Sequence, residues 1–552
     1  MTAQNNGTLQ HLLGQAVQIH AEKAAFSFMG ETPLTYRQLG EQVEALRSFF
    51  QRLGMTAGCK VAILGHNSPN WAVAYFAITG MGAVAVPLLP DFSQQEISNI
   101  LDHSEAVALL VSDRLSYKIG EMQENAIRHV IRLDDFNVIS TDRQGVAFNP
   151  GEKAARLPEL KETDLAAIIY TSGTTGKQKG VMLTHGNIIS NADAGSKVQP
   201  IDHTDVFLSL LPLSHVYENT LGLVLPVYRG ASVVYFRQLL SPQLIAEGLQ
   251  RVRPTIILSV PLIIEKMYRN RILPGIRSGR ILRTLYHVPF FRKLINKGAG
   301  KKLMNAFGGR VRFFGVGGAK LDPVVEKFLL EARFPVAIGY GLTETSPLLA
   351  GTNPGTARHQ STGPAVDRVE LRLANVDPVT GQGEIQARGP NIMLGYYKDP
   401  EMTAEVITPD GWLKTGDLGA FDRDGFLYIR GRLKNTILGA NGENIYPEEI
   451  ESVINNFKHV VESVVVEQKG KLVALVHLNM EEIEKTWQQL SRDMQDKLEN
   501  MLDELKLELI RYVNARVNKF SRLHAVVIHH EPFQKTATQK IKRYLYYQQQ
   551  SH

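Results

Sequence analysis

Short apolar runs alternate with longer amphipathic segments along the first half of the chain. The runs are typical of buried strands and lie at 60–64, 83–88, 108–111, 129–133 and 165–170. Between the first two, Ser68 and Pro69 have the residue types with which helices begin, and this helix is predicted to end near Gly80. Because parallel strands need a crossover helix between them, the repetition predicts an α/β fold built on parallel sheets.

The second half of the chain continues this pattern and then changes in texture. Further strands are predicted at 233–236, 256–260, 311–316 and 336–339. From about Glu384 the apolar runs become short and turn residues separate them, which indicates a small β-rich lobe. We therefore expect a large, multi-lobed N-terminal domain over residues 1–431, with two parallel-rich sheets, their helices and this lobe.

The remaining residues have the pattern of a smaller α+β domain. A helix is predicted at 446–455, strands at 460–468 and 471–478, and a long polar helix at 481–514. Apolar residues recur every three or four positions in the long helix, so one of its faces can be buried. Two uses of that face are open: packing on its own domain, or a contact between two copies in a homodimer. The apolar residues are Ile483, Trp487, Leu490, Met494, Leu498, Met501, Leu505 and Leu509.

Composition narrows the class of protein. Of the 552 residues, 44% are apolar and 21% charged, as in globular proteins. No uncharged apolar stretch of about 18 residues occurs, so no membrane-spanning helix is predicted, and no basic and apolar export signal opens the sequence. Cys59 is the one cysteine, which excludes an intramolecular disulfide and fits a reducing compartment. We expect a cytoplasmic location.

The net charge of +6 is unevenly distributed. Residues 266–320 contain 14 Lys and Arg and no Asp or Glu, so the rest of the chain is net acidic. Apolar and aromatic residues are interspersed with these cations, and two interpretations are open. The stretch 266–310 can contact an anionic membrane, as a peripheral protein at the inner face does, or form solvated helices that pack on their own domain. No nucleic-acid-binding motif accompanies the charge, so no nucleic acid partner is expected.

The run TSGTTGKQKG at 171–180 directly follows a predicted buried strand. Glycines let several backbone N–H groups converge on an anion, hydroxyls add donors and lysines add charge. The spacing is not that of a Walker A loop, because Gly173 and Gly176 are too close together and Lys177 is not followed by Ser or Thr. A nucleotide phosphate loop of another kind is therefore predicted.

Seven further segments accompany this loop. They are LPLSHVYE at 211–218, GVGGAKLD at 315–322, IGYGLTETSP at 338–347, GEIQARGPNIMLGYYKDPEMT at 383–403, TGDLG at 415–419, GRLKNTILGANGENIYPEEIE at 431–451 and KTATQKIKR at 535–543. Together with YTSGTTGKQKGVMLTHGN at 170–187, they closely resemble the motifs of the adenylate-forming superfamily, in the same order. That superfamily contains acyl-CoA synthetases, the adenylation domains of peptide synthetases, and luciferases. The resemblance covers about residues 20–545.

The resemblance implies an ATP-dependent ligase that joins a carboxylate to AMP and expels pyrophosphate. It implies that the β and γ phosphates are held by Thr171, Ser172, Gly173, Thr174, Thr175, Gly176 and Lys179. It further implies that Thr343 contacts the α-phosphate and that Glu344 and Thr171 bind Mg²⁺. Gly339 and Tyr340 are implied to contact adenine, and Asp417 and Arg432 the ribose. Gly318 is implied to lie near the nucleotide and the acyl carbonyl.

The tail of the chain supplies the remaining implied roles. Lys540 corresponds to the superfamily's catalytic lysine, which bridges the carboxylate and the α-phosphate. Lys434 has the hinge position within 432–434, so residues 435–552 are expected to form a mobile lid that closes for adenylation and swings away to admit coenzyme A. The glycines of GANGENIYP resemble those beside the coenzyme A tunnel, which favours the free thiol as acceptor.

The resemblance also indicates which class of carboxylic acid is the substrate. Peptide-synthetase adenylation domains carry an Asp for the substrate's ammonium, whereas LSLLPLSHVYEN at 208–219 has none. This segment and its apolar continuation resemble long-chain fatty acyl-CoA synthetases, which implies an acyl pocket lined by His215, Tyr217, Gly317 and Ala319. The alternatives are loading of an acyl carrier protein, a medium-chain or aryl acid–CoA ligase, and a fatty-acid-binding protein with an inactive nucleotide site.

Overall fold

The first part of the chain forms alternating strands and helices, as predicted. The computed structural model describes residues 7–120, 127–155, 157–172, 178–277, 279–438, 444–468, 470–480, 483, 495–536 and 540–547. The first strands are β1 (Ala24–Phe28), β2 (Leu34–Thr35), β3 (Lys60–Leu64), β4 (Val84–Leu88), β5 (Ala106–Val111), β6 (His129–Arg132), β7 (Val138–Thr141), β8 (Leu165–Ser172) and β9 (Gln178–Thr184). The helices are α1 (Leu9–His20), α2 (Tyr36–Arg52), α3 (Pro69–Gly80), α4 (Gln94–Ser104) and α5 (His185–Val198).

The middle of the chain adds a second set of strands and a run of short helices. The strands are β10 (Val206–Leu208), β11 (Ser232–Tyr235), β12 (Ile256–Ser259), β13 (Phe313–Val316), β14 (Val336–Gly341) and β15 (Leu348–Gly351). The helices are α6 (Leu225–Arg229), α7 (Pro242–Val252), α8 (Pro261–Met267), α9 (Leu273–Arg277), α10 (Arg280–Tyr286), α11 (Pro289–Ala306) and α12 (Pro323–Glu331). Two π-helical segments, Glu218–Val224 and Tyr268–Ile272, adjoin α6 and α8.

The rest of the chain contains the β-rich lobe and the smaller domain. The strands are β16 (Glu370–Ala374), β17 (Gly383–Arg388), β18 (Gly395–Tyr396), β19 (Leu413–Phe421), β20 (Leu427–Arg432), β21 (Ile437–Leu438), β22 (Asn444–Ile445), β23 (Val460–Gln468), β24 (Lys471–Leu478) and β25 (Ala525–Ile528). The helices are α13 (Pro400–Val406), α14 (Pro447–Ile454), α15 (Gln495–Asn514) and α16 (Tyr544–Tyr547).

Two eight-stranded sheets form the body of the large domain. Their strand orders are β15-β14-β13-β12-β10-β11-β1-β2 and β18-β9-β8-β4-β3-β5-β6-β7, and the inner pairs are parallel except β8 with β9. The β-rich lobe is the antiparallel sheet β16-β17-β19-β20, and the smaller domain contains the sheet β23-β24-β25. The predicted fold class, a large α/β body with a smaller α+β domain, is confirmed.

The predicted phosphate loop is shorter than its sequence indicated. Residues 178–180 belong to β9, which pairs antiparallel with β8, so that Thr171 lies opposite Lys179. The strand continues into Val181 and Leu183, whose side chains are buried in the core. Burial of these alternate residues explains why the strand begins before the last glycine of the run.

The long helix of the smaller domain packs on its own domain. In α15, Met501 and Leu509 are buried in one cluster with Ile450 of α14 and Val465 of β23. The described part of the predicted apolar face is therefore used within the domain, and the homodimer stays a prediction. Among the described residues, no helix is both long and apolar enough to cross a membrane.

Candidate active site

A cleft of about 3180 Å³ lies between the large body and the smaller domain. Most of the predicted site residues line it: Thr171, Lys179, His215, Tyr217, Gly317, Gly318, Ala319, Gly339, Tyr340, Thr343, Glu344, Asp417, Arg432, Lys434 and Lys540. Ser172 ends β8. Gly173, Thr174, Thr175 and Gly176 lie outside the described residues. The residues of widely separated motifs therefore meet in one place.

The floor of the cleft is formed where two parallel strands end. Gly317 and Gly318 follow β13, and Tyr340 and Gly341 end β14 beside it. This is the position at which open α/β sheets bind their ligands. Gly341 is required by close packing, because a Cβ atom there would lie 1.8 Å from the carbonyl oxygen of Pro347.

Asp417 is a buried charge of the site. The residue is 4% exposed, and its carboxylate accepts hydrogen bonds from the Tyr340 hydroxyl at 2.8 Å and from Nε of Arg432 at 2.9 Å. Asp417 and Arg432 are directly opposite each other on β19 and β20, so the sheet register sets the ion pair. Burial raises the pKa of Asp417, and the Arg432 cation opposes that rise.

Glu344 is held by a residue that the sequence analysis did not single out. The Tyr396 hydroxyl donates to Oε1 of Glu344 at 2.9 Å, and Nζ of Lys179 lies 5.1 Å from the centre of the Tyr396 ring. Tyr396 therefore joins the predicted metal ligand to the end of the phosphate loop. The pair of tyrosines in LGYYKDP at 394–400 was the feature of the sequence that could have indicated this contact. The Glu344 carboxylate and the Thr171 hydroxyl are hard oxygen donors, which fit Mg²⁺ bound mainly through phosphates and water.

Two buried asparagines hold the turn that carries Thr343 and Glu344. Nδ2 of Asn191, in α5, donates to the carbonyl of Leu348 at 2.8 Å, and Oδ1 of Asn191 accepts from the N–H of Leu348 at 3.0 Å. Nδ2 of Asn391 donates to the carbonyls of Thr345 and Leu348 at 2.9 and 3.0 Å. Because both side chains are buried, these bonds fix the turn between β14 and β15.

Lys540 extends from the smaller domain into the cleft. Residues of both domains surround the side chain of Lys540, although part of the residue reaches solvent. This enclosure and the Arg432 cation lower the pKa of Lys540. Asp417 and Glu344 lie close enough to oppose that shift. Burial, together with the Lys540 cation, lowers the pKa of His215 to about 4, so the His215 imidazole is neutral at pH 7.

The cleft continues past Tyr217 along apolar side chains. Tyr217 packs against Gly317, where an added Cβ would lie 3.1 Å from the ring, so a small residue is needed there. The apolar lining includes Val198 from α5, Leu221 from the π-helical segment, Leu225 from α6, Leu258 from β12 and Phe313 from β13. Only the entrance to this space was predicted from the sequence. Its lining is that of a pocket for an apolar ligand.

Glu218 is buried beneath this part of the cleft without adding a charge to it. Burial raises the pKa of Glu218 to about 8, and the Ser209 hydroxyl lies 2.5 Å from its Oε1. At neutral pH the protonated form therefore predominates. The segment after Tyr217 keeps an uncharged interior next to the apolar lining.

Comparison with known proteins gives consistent matches over most of the chain. The model of AMP-binding enzymes matches residues 13–397, and that of the AMP-binding enzyme C-terminal domain matches residues 434–551. The peroxisomal long chain acyl-CoA synthetase 6 of Arabidopsis thaliana is 32% identical over 512 residues, which cover 86% of this chain and 72% of that protein. A long-chain-fatty-acid–CoA ligase of Mycobacterium tuberculosis is 30% identical over 491 residues, covering 83% and 79%.

Solved structures share the fold at lower identity. The o-succinylbenzoate coenzyme A synthetase of Bacillus subtilis, in complex with ATP and magnesium ion, superposes with a TM-score of 0.75 at 24% identity, covering 97% of this chain and 98% of that one. The Mycobacterium tuberculosis fatty acyl CoA synthetase superposes with a TM-score of 0.67 at 23% identity, covering 100% and 99%. At these identities the comparison shows that the fold is shared.

We predict that Asp417→Asn weakens ATP binding at least about tenfold, since it removes a charged hydrogen-bond acceptor from the site. It also leaves Arg432 without its anion. Isothermal titration with ATP measures the change. Asp422→Asn is the matched control, because Asp422 accepts from Arg358 at 2.7 Å in the same lobe but outside the cleft lining. Equal losses in the two variants would contradict a direct role for Asp417.

Proposed function

The chain belongs to the family of AMP-binding enzymes, and we propose that it is a long-chain fatty acid–CoA ligase that forms AMP. It activates a fatty acid with ATP, giving an acyl adenylate and pyrophosphate, and then transfers the acyl group to coenzyme A with release of AMP. One observation carries this proposal: the cleft joins the enclosed charges of Asp417, Arg432 and Glu344 to an apolar extension beyond Tyr217. Relatives named as long-chain synthetases support the acid class.

The first half-reaction brings two anions together. The carboxylate oxygen attacks the α-phosphorus of ATP, the bond from that phosphorus to the bridging oxygen breaks, and pyrophosphate leaves. Catalysis requires positioning and positive charge where the anions meet. We assign that charge to the Lys540 ammonium, with the Thr343 hydroxyl on the α-phosphate and Thr171, Ser172 and Lys179 on the outer phosphates. Gly173, Thr174, Thr175 and Gly176 remain assigned to the same loop.

The nucleoside and the metal are assigned to residues around the same floor. Tyr340, flanked by Gly339, stacks on adenine, while Asp417 and Arg432 bind the ribose hydroxyls. Glu344, with Thr171, would hold Mg²⁺, which when bound would neutralise phosphate charge. Since Tyr396 already donates to one Glu344 oxygen, the carboxylate is oriented before nucleotide arrives.

The second half-reaction requires a different arrangement of the domains. We propose that residues 1–431 form the adenylation domain, 432–434 the hinge and 435–552 the lid. Lys434 lies in a short 3₁₀ turn, Leu433–Asn435, between the last strand of the lobe and the smaller domain. With Lys540 in the cleft, the described arrangement suits adenylation. Rotation at Lys434 withdraws Lys540 and gives coenzyme A access to the acyl adenylate.

The acyl group is assigned to the apolar part of the cleft. His215, Tyr217, Gly317 and Ala319 line its entrance, with Gly318 near the acyl carbonyl. A neutral His215 adds no further cation to the pair Lys540 and Arg432. Coenzyme A is preferred to an acyl carrier protein as acceptor because the two relatives cited above are named as an acyl-CoA synthetase and a CoA ligase. A medium-chain or aryl acid remains the alternative substrate.

We further propose that the protein contacts membranes through an exposed surface on α10 and α11. Within the basic stretch 266–310, Ile281, Phe290 and Leu294 are 78%, 70% and 62% exposed. Phe290 and Leu294 are four residues apart, so they share one face of α11. Asn296, Gly300 and Leu303 are buried on the opposite face. The helices therefore pack on their own domain and still present apolar side chains outward.

Cations surround these apolar side chains. Lys293, Lys297 and Lys301 are exposed on α11, whereas Arg292 is paired with Glu331 at 2.8 Å and is not available to lipid. Exposed apolar side chains beside lysines suit an anionic bilayer. A cytoplasmic enzyme at the inner face of a membrane would collect long acyl chains there, because such acids partition into lipid.

The proposed function predicts acid-dependent pyrophosphate release that rises with chain length. A panel of acids from 4 to about 18 carbons, with ATP, Mg²⁺ and coenzyme A, is followed by pyrophosphate and acyl-CoA formation. Each buried CH₂ contributes about 0.8 kcal/mol, so kcat/KM rises steeply until the pocket is filled. Amino and aryl acids serve as controls. Absence of pyrophosphate release with every acid would leave only the binding-protein alternative.

The role of Lys540 predicts separable defects. Lys540→Ala is expected to slow adenylation about 10²–10³-fold, as removal of one electrostatic stabiliser does. Thioester formation from supplied acyl adenylate should be nearly unchanged, because Lys540 is then withdrawn. Both steps are measured in single-turnover assays, with Lys519→Ala, an exposed lysine of the same domain, as control. Equal loss of both steps in a folded variant would contradict domain alternation.

The pH dependence gives a second test of the same residue. The Lys540 cation is present below its pKa and is lost as pH rises through it. Because that pKa is below the ordinary 10.5, kcat/KM for adenylation should begin to fall at a lower pH than an ordinary lysine would cause. Lys540→Arg, whose guanidinium stays charged, should lack this fall. The same alkaline fall in both proteins would assign it to another group.

The membrane surface predicts lipid binding that depends on both kinds of residue. The double variant Phe290→Ser with Leu294→Ser should bind phosphatidylglycerol vesicles at least about tenfold more weakly, since two apolar side chains no longer insert. Lys293→Glu with Lys297→Glu should weaken binding most at low salt. Val379→Ser is the matched control, as Val379 is 91% exposed on the β-rich lobe. Unchanged vesicle sedimentation of both double variants would remove the proposal.

A further inference from the structure

Arg269 connects the two domains across the cleft. It lies in the π-helical segment Tyr268–Ile272, which follows α8 in the large body. Its Nη1 donates to the carbonyl oxygen of Asn455 at 2.7 Å, and Asn455 follows the last residue of α14 in the smaller domain. Both residues line the cleft, so the bond closes one of its sides.

The large body holds the Arg269 side chain in place. Its Nη2 lies 3.5 Å from Oδ2 of Asp322, whose side chain is 4% exposed. Asp322 caps α12 by accepting from the N–H groups of Val324 and Val325 through Oδ1. Glu265, on α8, accepts from the backbone N–H of Asp322 at 2.9 Å. The guanidinium is thus oriented by a fixed carboxylate before it contacts the smaller domain.

The acceptor is equally well fixed in the smaller domain. The Asn455 carbonyl lies at the C-terminal end of α14, where the helix dipole favours a cation. The Asn455 side chain accepts from the Ser463 hydroxyl at 2.8 Å, which ties it to β23. The position of α14 is therefore transmitted to the sheet of this domain.

The same helix leads to the tail lysine. Glu451, on α14, is buried and forms an ion pair with Arg543. Arg543 is three residues after Lys540, and the backbone between them pairs with residues 534–536. The contact of Arg269 with α14 is therefore linked to the location of Lys540 through buried and paired groups.

We propose that Arg269 is a positioning residue for adenylation: by docking the C-terminal end of α14, it places Lys540 in the cleft. This inference rests on the proposed function. When the lid rotates for thioester formation, the Arg269–Asn455 bond must break, so the bond stabilises only the adenylation arrangement. A contact that favours one of two arrangements shifts their populations and leaves the chemistry within the other unchanged. Arg269 is thus needed in one half-reaction.

The test uses the full-length enzyme with Arg269→Gln. Single-turnover adenylation of a long-chain acid is expected to fall about tenfold, the loss that a charge-assisted hydrogen bond gives. Thioester formation from supplied acyl adenylate should stay within twofold of the unaltered enzyme. Arg269→Lys, which keeps the charge, should restore part of the adenylation rate. The matched control is Arg271→Gln, an exposed residue of the same segment.

The outcomes separate this inference from the function itself. Adenylation by Arg269→Gln at the unaltered rate, or equal loss of both half-reactions, would overturn the positioning role. An equal loss of adenylation in Arg271→Gln would also overturn the positioning role, because the effect would then come from the overall positive charge of the basic stretch 266–310. Thermal unfolding checks that the variants are folded. If Arg269→Gln is not folded, the two half-reactions are compared in Arg269→Lys instead. If the unaltered enzyme itself forms no acyl adenylate, the proposed function fails first.

Discussion

The site depends on keeping a carboxylate charged where water is nearly absent. Removing a carboxylate from water is costly unless a counter-ion and hydrogen bonds replace the solvent. Asp417 meets this condition because the register of β19 and β20 places Arg432 opposite it and the Tyr340 hydroxyl donates to its other oxygen. The hydrogen bond from Tyr340 therefore joins the β-rich lobe to the end of β14, and the two parts of the proposed nucleotide site share one fixed floor.

A second constraint acts on the backbone instead of on charges. Glu344 and Thr343 stand on a turn whose carbonyls accept hydrogen bonds from Asn191 and Asn391. These asparagines come from α5 and from the segment after β17, far apart along the chain. Such long-range bonds form only after the domain has folded, so the turn is organised by tertiary structure. Thr343 and Glu344, which we propose contact the α-phosphate and Mg²⁺, then have little freedom to lose when the nucleotide binds.

Much of this arrangement could be predicted from the sequence, and the failures have physical causes. Buried strands such as β3 were predictable because they are short, continuous and apolar, and the helix after Ser68 because its hydroxyl accepts from the N–H of Trp71. Strand β9 was not predicted, since the glycine and lysine at its start conceal an alternation that becomes apolar only at Val181. Tyr396 and Asn391 were missed because their roles are contacts with groups distant in sequence, which no local pattern encodes.

The basic stretch is the clearest case in which charge counting and structure differ. Its residues are divided among three environments: Arg292 is neutralised by Glu331, Arg269 contacts the smaller domain, and Lys293 and Lys297 face solvent beside Phe290. The outward charge is therefore smaller than the sequence indicates, and apolar contact must supply a larger share of any lipid binding. The same run of helices thus contacts the smaller domain through Arg269 and carries the exposed apolar surface on other side chains. The positive charge of this segment is therefore divided among different side chains: Arg292 forms an ion pair within the large domain, Arg269 contacts the smaller domain, and Lys293 and Lys297 are exposed.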